Sequence, residues 1–85
     1  MGLQLKLNWF DKKTDVFVGE EYSKDLGDDV SVIERLGLSV EEDINNGEFD
    51  VLKDFSPILQ PYFENKIMTD EFDYFIAFNY KKGSR

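Results

Sequence analysis

From Gly2 to Phe10 apolar and polar positions alternate, placing Leu3, Leu5, Leu7 and Trp9 on one side of an extended chain and Gln4, Lys6, Asn8 and Phe10 on the other. A period of two marks a strand with one buried face. Asp11-Lys12-Lys13-Thr14 is a polar connection of hairpin length, and Asp15 to Tyr22 reads as a second strand rich in β-branched and aromatic residues. Simple alternation assigns Val16, Val18 and Tyr22 to its apolar side and Asp15, Phe17, Gly19 and Glu21 to the other. Glu20 intrudes on the apolar side, which a bulge near Gly19 would accommodate.

Ser23 to Val30 is a loop by composition, carrying Gly27 and three aspartates. Ser31-Val32-Ile33-Glu34 fits a capping box, and Gly37 supplies a left-handed stop after barely two turns, so one short helix is expected here. Ser39-x-x-Glu42 followed by Asn45-Asn46-Gly47 suits either another helical turn or an acidic loop, and is assigned as loop. Glu48 to Leu52 alternates again as a third strand. Ser56-Pro57 could begin a helix, but Pro61 limits it to about a turn, so an irregular crossover is expected. Phe72 to Tyr80 closes the chain as a fourth strand before a fraying tail from Lys81 to Arg85.

The expected fold is therefore α+β and mainly β: a four-stranded antiparallel sheet with one short helix, in a single small domain spanning residues 1–85. One covered face accounts for Leu3, Leu5, Leu7, Trp9, Val16, Val18, Tyr22, Phe49, Val51, Tyr74, Ile76 and Phe78, joined by Ile33 and Leu36 from the helix. The opposite face is left with Asn8, Phe10, Phe17, Glu21, Glu48, Asp50, Phe75 and Ala77. Three phenylalanines thus stand where polar side chains belong. Packing under a loop or a self-association contact would explain them. So would an interface with aromatic anchors ringed by carboxylates, because desolvated aromatic residues carry a disproportionate share of binding energy.

Composition narrows the choice. The 85 residues carry 10 basic and 18 acidic side chains, net -8, which leaves no electrostatic source for binding a phosphate backbone. The acidity is concentrated: Asp15 to Asp73 holds 17 acidic against 4 basic residues, net -13, as either a solvated surface or a docking surface for a basic partner. With no His and no Cys, the chain lacks the common imidazole base, the thiol nucleophile and soft metal ligands, and disulfides are impossible. Thirteen aromatic rings argue against disorder. The longest apolar run, Tyr74 to Phe78, falls far short of the roughly 20 residues that span a bilayer, and no leader pattern precedes it, so a soluble cytosolic protein is expected.

Carboxylate chemistry gives little more. Glu48 and Asp50, two apart on a strand, are spaced like a glycosidase pair, but any acidic chain offers such pairs and no substrate cleft is evident. Asp43-Ile44-Asn45-Asn46-Gly47 puts glycine fifth where a calcium-binding EF-hand loop needs it sixth, and no glutamate stands at the twelfth position. No catalytic residue, cofactor or metal is expected.

Longer strings are more specific. Met1-Gly2-Leu3, Trp9-Phe10-Asp11-Lys12, Gly19-Glu20-Glu21-Tyr22-Ser23-Lys24-Asp25, Gly27-Asp28-Asp29, Asn45-Asn46-Gly47, Phe49-Asp50-Val51 and Leu59-Gln60-Pro61-Tyr62-Phe63 carry a match, without insertions or deletions over nearly the whole chain, to one known family. The sequence resembles the cloacin and ribonuclease-type colicin immunity proteins. The resemblance implies a non-enzymatic inhibitor, made beside a toxin whose basic C-terminal domain cleaves small-subunit ribosomal RNA. The partner is then that nuclease domain, in a 1:1 complex, rather than nucleic acid or a membrane. It further implies a four-stranded antiparallel sheet whose exposed face and neighbouring acidic loops meet the toxin.

Carried onto this chain, the toxin-binding residues are Asn8, Phe10, Phe17, Glu21, Asp28, Glu48, Asp50 and Phe75. Glu48 stands between the Asn-Asn-Gly turn and Phe-Asp, where family members differ most, and so takes the specificity role. Val16 and Val18 stand where relatives carry polar residues, Glu41 reverses a basic position, Ser56 replaces an apolar one, and Ser84-Arg85 replaces an acidic and aromatic pair. These departures point away from the best-characterised toxin as partner. The competing expectation is an acidic nucleic-acid mimic that occupies basic proteins indiscriminately.

Overall fold

The computed structural model describes residues 2–80; the 81–85 tail lies outside the described residues. Four strands form, at Leu3–Asp11 (β1), Phe17–Tyr22 (β2), Glu48–Asp50 (β3) and Phe72–Tyr80 (β4), in a single antiparallel sheet ordered β2-β1-β4-β3. The two segments of longest unbroken alternation become its centre: β1 and β4 pair in continuous register from Leu3 opposite Tyr80 to Asp11 opposite Phe72. Each therefore presents one apolar side over its whole length. The fold class is as expected.

Helical content is somewhat greater than one helix. Short helices occupy Ser31–Arg35 (α1), Val40–Asp43 (α2) and Ser56–Leu59 (α3), and 3₁₀ turns at Lys53–Phe55 and Gln60–Tyr62 flank α3. The segment assigned as loop after Gly37 is thus a helical turn, capped by the Ser39 hydroxyl, which accepts from the Glu42 N–H at 3.3 Å. In α1 the capping box does not form. Ser31 is already helical, and Asp29 two residues earlier accepts from both the Ser31 N–H and its hydroxyl, which hold the Asp29 carboxyl below its usual pKa. The predicted stop does form: Gly37, at φ 80°, donates to Glu34 O and Leu38 N–H reaches Ile33 O, the two bonds of a Schellman motif.

The core lies between one sheet face and these helical segments. Leu3, Leu5, Leu7, Tyr74, Ile76 and Phe78 from the sheet pack with Val32, Ile33, Leu36, Val51, Leu59, Phe63 and Ile67. Trp9 and Phe49 pack against its edge, half-buried. Val16, Val18 and Tyr22 do not belong to it; each is about half exposed or more.

The reason is a bulge. Register runs from Lys6 opposite Tyr22 to Trp9 opposite Gly19, then jumps to Phe10 opposite Phe17, leaving Val18 without a partner. One extra residue inverts the faces of everything beyond it. Gly19 and Glu21 consequently turn toward the helical side, and Glu20 and Tyr22 join the opposite face. Gly19 fits there because a Cβ would lie 2.9 Å from the Trp9 ring. Val18, in an outer strand, and Val16, just before that strand begins, stay exposed.

Candidate functional site

The uncovered sheet face can be read in rows across the four strands. Tyr22, Lys6, Ala77 and Glu48 form one; Glu20, Asn8, Phe75 and Asp50 the next; Phe17, Phe10 and Asp73 the third. Carboxylates thus flank a central aromatic strip on both outer strands. Lys6 partly offsets them: its ammonium is 3.6 Å from Glu20 and 5.7 Å from the centre of the Tyr22 ring. Both contacts are solvent-exposed and screened, so they contribute little.

Phe10 is the hub of the strip. It meets Phe17 edge to face at 5.5 Å and Phe75 edge to face at 5.6 Å. The bulge makes the first contact possible, since without the skipped residue Val18 rather than Phe17 would stand opposite Phe10. Phe17 is 52% exposed, and Phe10 and Phe75 are half-buried. The three rings therefore form an ordered apolar patch, held by aromatic pairing, that the helices on the far side of the sheet leave open to solvent.

Glu48 is positioned by the turn before it. The Asn45 backbone N–H donates to Phe78 O at 2.7 Å, while its side chain donates to Tyr80 O and accepts from the Tyr80 N–H, both at 3.1 Å. Asn45 and Gly47 adopt φ of 58° and 79°, conformations that asparagine and glycine tolerate best. The chain is thereby turned into β3 with Glu48 opposite Ala77. Because Ala77 is small, the Glu48 carboxylate reaches across β4 and accepts a hydrogen bond from Asn8 Nδ2 on β1. Asn8 is only 7% exposed, and its Oδ1 has no hydrogen-bond partner.

Six of the eight expected site residues share this face: Asn8, Phe10, Phe17, Glu48, Asp50 and Phe75. Glu21 does not, having been turned under the sheet by the bulge. Its carboxylate accepts from the Glu64 and Asn65 backbone N–H groups and from the Asn65 side chain, at 2.8 to 3.0 Å. Burial pushes its pKa up, but these bonds outweigh burial and hold it below the ordinary value. Glu21 is a clasp for the 63–67 loop. Asp28 also lies apart, in the loop before α1, where it accepts from the Tyr80 hydroxyl and raises the Tyr80 pKa.

Three acidic residues beside this face lie outside the expected site, and simple alternation put only one of them on the wrong side. Glu20 reaches the face through the bulge. Asp73, opposite Phe10, was visible as a face position but not as a site residue. Asp15 arrives through the hairpin turn, where its φ of 61° reverses the chain. Asp11 organises that turn by accepting from the Lys13 and Thr14 N–H groups.

The model for the cloacin immunity protein family matches residues 2–81. The chain belongs to that family. It is accordingly an immunity protein against a cloacin-type bacteriocin, an inhibitor that binds its cognate toxin. Among the described residues of this immunity protein, no helix is long and apolar enough to cross a membrane.

Proposed function

We propose that this immunity protein binds the basic C-terminal ribosomal RNase domain of its bacteriocin through the open sheet face, as one 1:1 complex formed by the whole chain as a single domain. The observation that carries this reading is the ordered Phe10, Phe17 and Phe75 patch, left uncovered on a face rimmed by Glu20, Glu48, Asp50 and Asp73. A domain that holds RNA is cationic. A partner of net -8 is steered toward it, raising association rates to about 10⁸–10⁹ M⁻¹s⁻¹ at low salt. The rings then exclude water and slow dissociation, with Glu48 selecting the cognate partner by the charge it meets.

Inhibition follows without covering the catalytic groups, since added bulk and negative potential on the nuclease surface repel ribosomal RNA. The complex forms in the cytoplasm of the producing cell and leaves it with the toxin. Titration calorimetry of the Phe10→Ala, Phe17→Ala and Phe75→Ala variants against the isolated nuclease domain tests the face. Weakened binding supports it, and unchanged affinity in all three removes it. A pull-down that returns many unrelated basic proteins, in place of one toxin, would mean nucleic-acid mimicry instead.

A further inference from the structure

At the hairpin end of the open face a cavity of about 270 Å³ lies among Phe10, Phe75, Asp15 and Asp73. Its walls are unlike the rest of the face. The two rings stand at 81° to one another, and in an edge-to-face pair at least one ring keeps a π-face clear of the other. Asp73 is brought in by its register opposite Phe10, and Asp15 by its left-handed turn conformation, secured by its N–H donating to Asp11 O at 2.8 Å.

The charges here are unbalanced. Lys12 lies 2.8 Å from Asp73 Oδ1, whereas the Asp15 carboxylate has no hydrogen bond or ion pair among the described residues. The cavity therefore combines an aromatic wall, one uncommitted carboxylate and one that already shares its charge with an ammonium group. A cation that places a flat face on the ring and N–H groups on both carboxylates satisfies all of these features. A second ammonium would crowd Lys12 with a compact, strongly hydrated charge. A guanidinium is planar, delocalised and more weakly hydrated, so it loses less on entering.

We propose that this cavity receives one arginine side chain of the nuclease domain, with Phe10 and Phe75 as its stacking wall and Asp15 as its principal acceptor. The proposal rests on the open face being the docking surface, and extends that face to its hairpin end.

The test uses the full-length immunity protein and the isolated nuclease domain carrying isotope-labelled arginine and lysine side chains. In the wild-type complex one arginine Nε–H signal should move upfield by ring current and exchange slowly with water. Asp15→Asn should return that signal toward its free position and weaken binding about tenfold, the loss of one charge-assisted hydrogen bond. Asparagine tolerates left-handed backbone as well as aspartate, and the site is exposed, so this variant keeps its fold. Phe75→Leu should remove the upfield shift while leaving Asp15 in place. If the complex forms with no arginine signal moved and Asp15→Asn binds like wild type, the cavity proposal is overturned while the docking face stands. A shifted lysine signal in place of arginine also overturns it. Failure of the two proteins to associate would remove the docking reading and this proposal together.

Discussion

The two faces of one sheet are built from the same strands, with neighbouring residues pointing opposite ways, yet they serve different ends. On the closed face Leu3, Leu5, Leu7 and Ile76 are wholly buried beneath the helical segments. On the open face Phe10, Phe17 and Phe75 are just as apolar but pack chiefly on one another, beside carboxylates that oppose any further closure. Burial on the first face stabilises the monomer. On the second, the proposed docking leaves the favourable burial of the rings to a partner, so substitutions on the two faces should separate stability from binding.

The largest expected effect is on the closed face. Leu5→Ala should cost about 2–5 kcal/mol of unfolding free energy in a urea titration, through lost burial and a residual cavity. A smaller loss would mean that the helices close readily onto the sheet. On the open face, Glu48→Lys should weaken nuclease binding by about 3 kcal/mol or more by setting like charges together, with stability changing by less than about 1 kcal/mol. Phe10→Ala should cost about 2 kcal/mol or more in calorimetric binding, and more than Phe17→Ala, because it removes both edge-to-face contacts at once.

Glu21 sharpens the comparison because alternation assigned it to the wrong side. Glu21→Gln should lower stability by about 1–2 kcal/mol near neutral pH, as bonds to a charged acceptor are weakened, and leave toxin affinity unchanged. Its folded pKa lies below the unfolded one, so the stabilisation is present above the unfolded value, near 4.5, and disappears as pH falls through the folded value. The difference between wild type and variant should therefore shrink in urea titrations below about pH 4.5. The smallest effect belongs to Asn8→Ala, at less than about 1 kcal/mol in the same titration. It removes the bond to Glu48 and the unsatisfied Oδ1 together, and these contributions oppose each other.

Where the period of two is unbroken, in β1 and β4, the faces follow directly from the residues, and the stranded phenylalanines could be recognised as a violation of the pattern. At β2 a hint of irregularity was visible in Glu20 and Gly19, but its position was not. Simple alternation carried straight through the strand misassigns Glu20, Glu21 and Tyr22, because the single extra residue at Val18 inverts the sides of all that follow it. Leu59, Phe63 and Ile67 escaped notice for another reason: they enter the core from the end of the one-turn helix α3 and from the loop beyond it, stretches too short or irregular for a period to mark an inward side. The Asn8 to Glu48 bond joins residues 40 apart and depends on a small residue on the strand between them. Only the sheet register reveals it.

The most direct measurement is an amide NMR titration of the labelled immunity protein with the unlabelled nuclease domain. Docking on the open face predicts that the large shifts gather on Asn8, Phe10, Phe17, Glu20, Glu48, Asp50, Asp73 and Phe75, while α1, α2 and the 63–67 loop stay nearly still. Shifts concentrated on those helical segments, with the three phenylalanines unmoved, would contradict it.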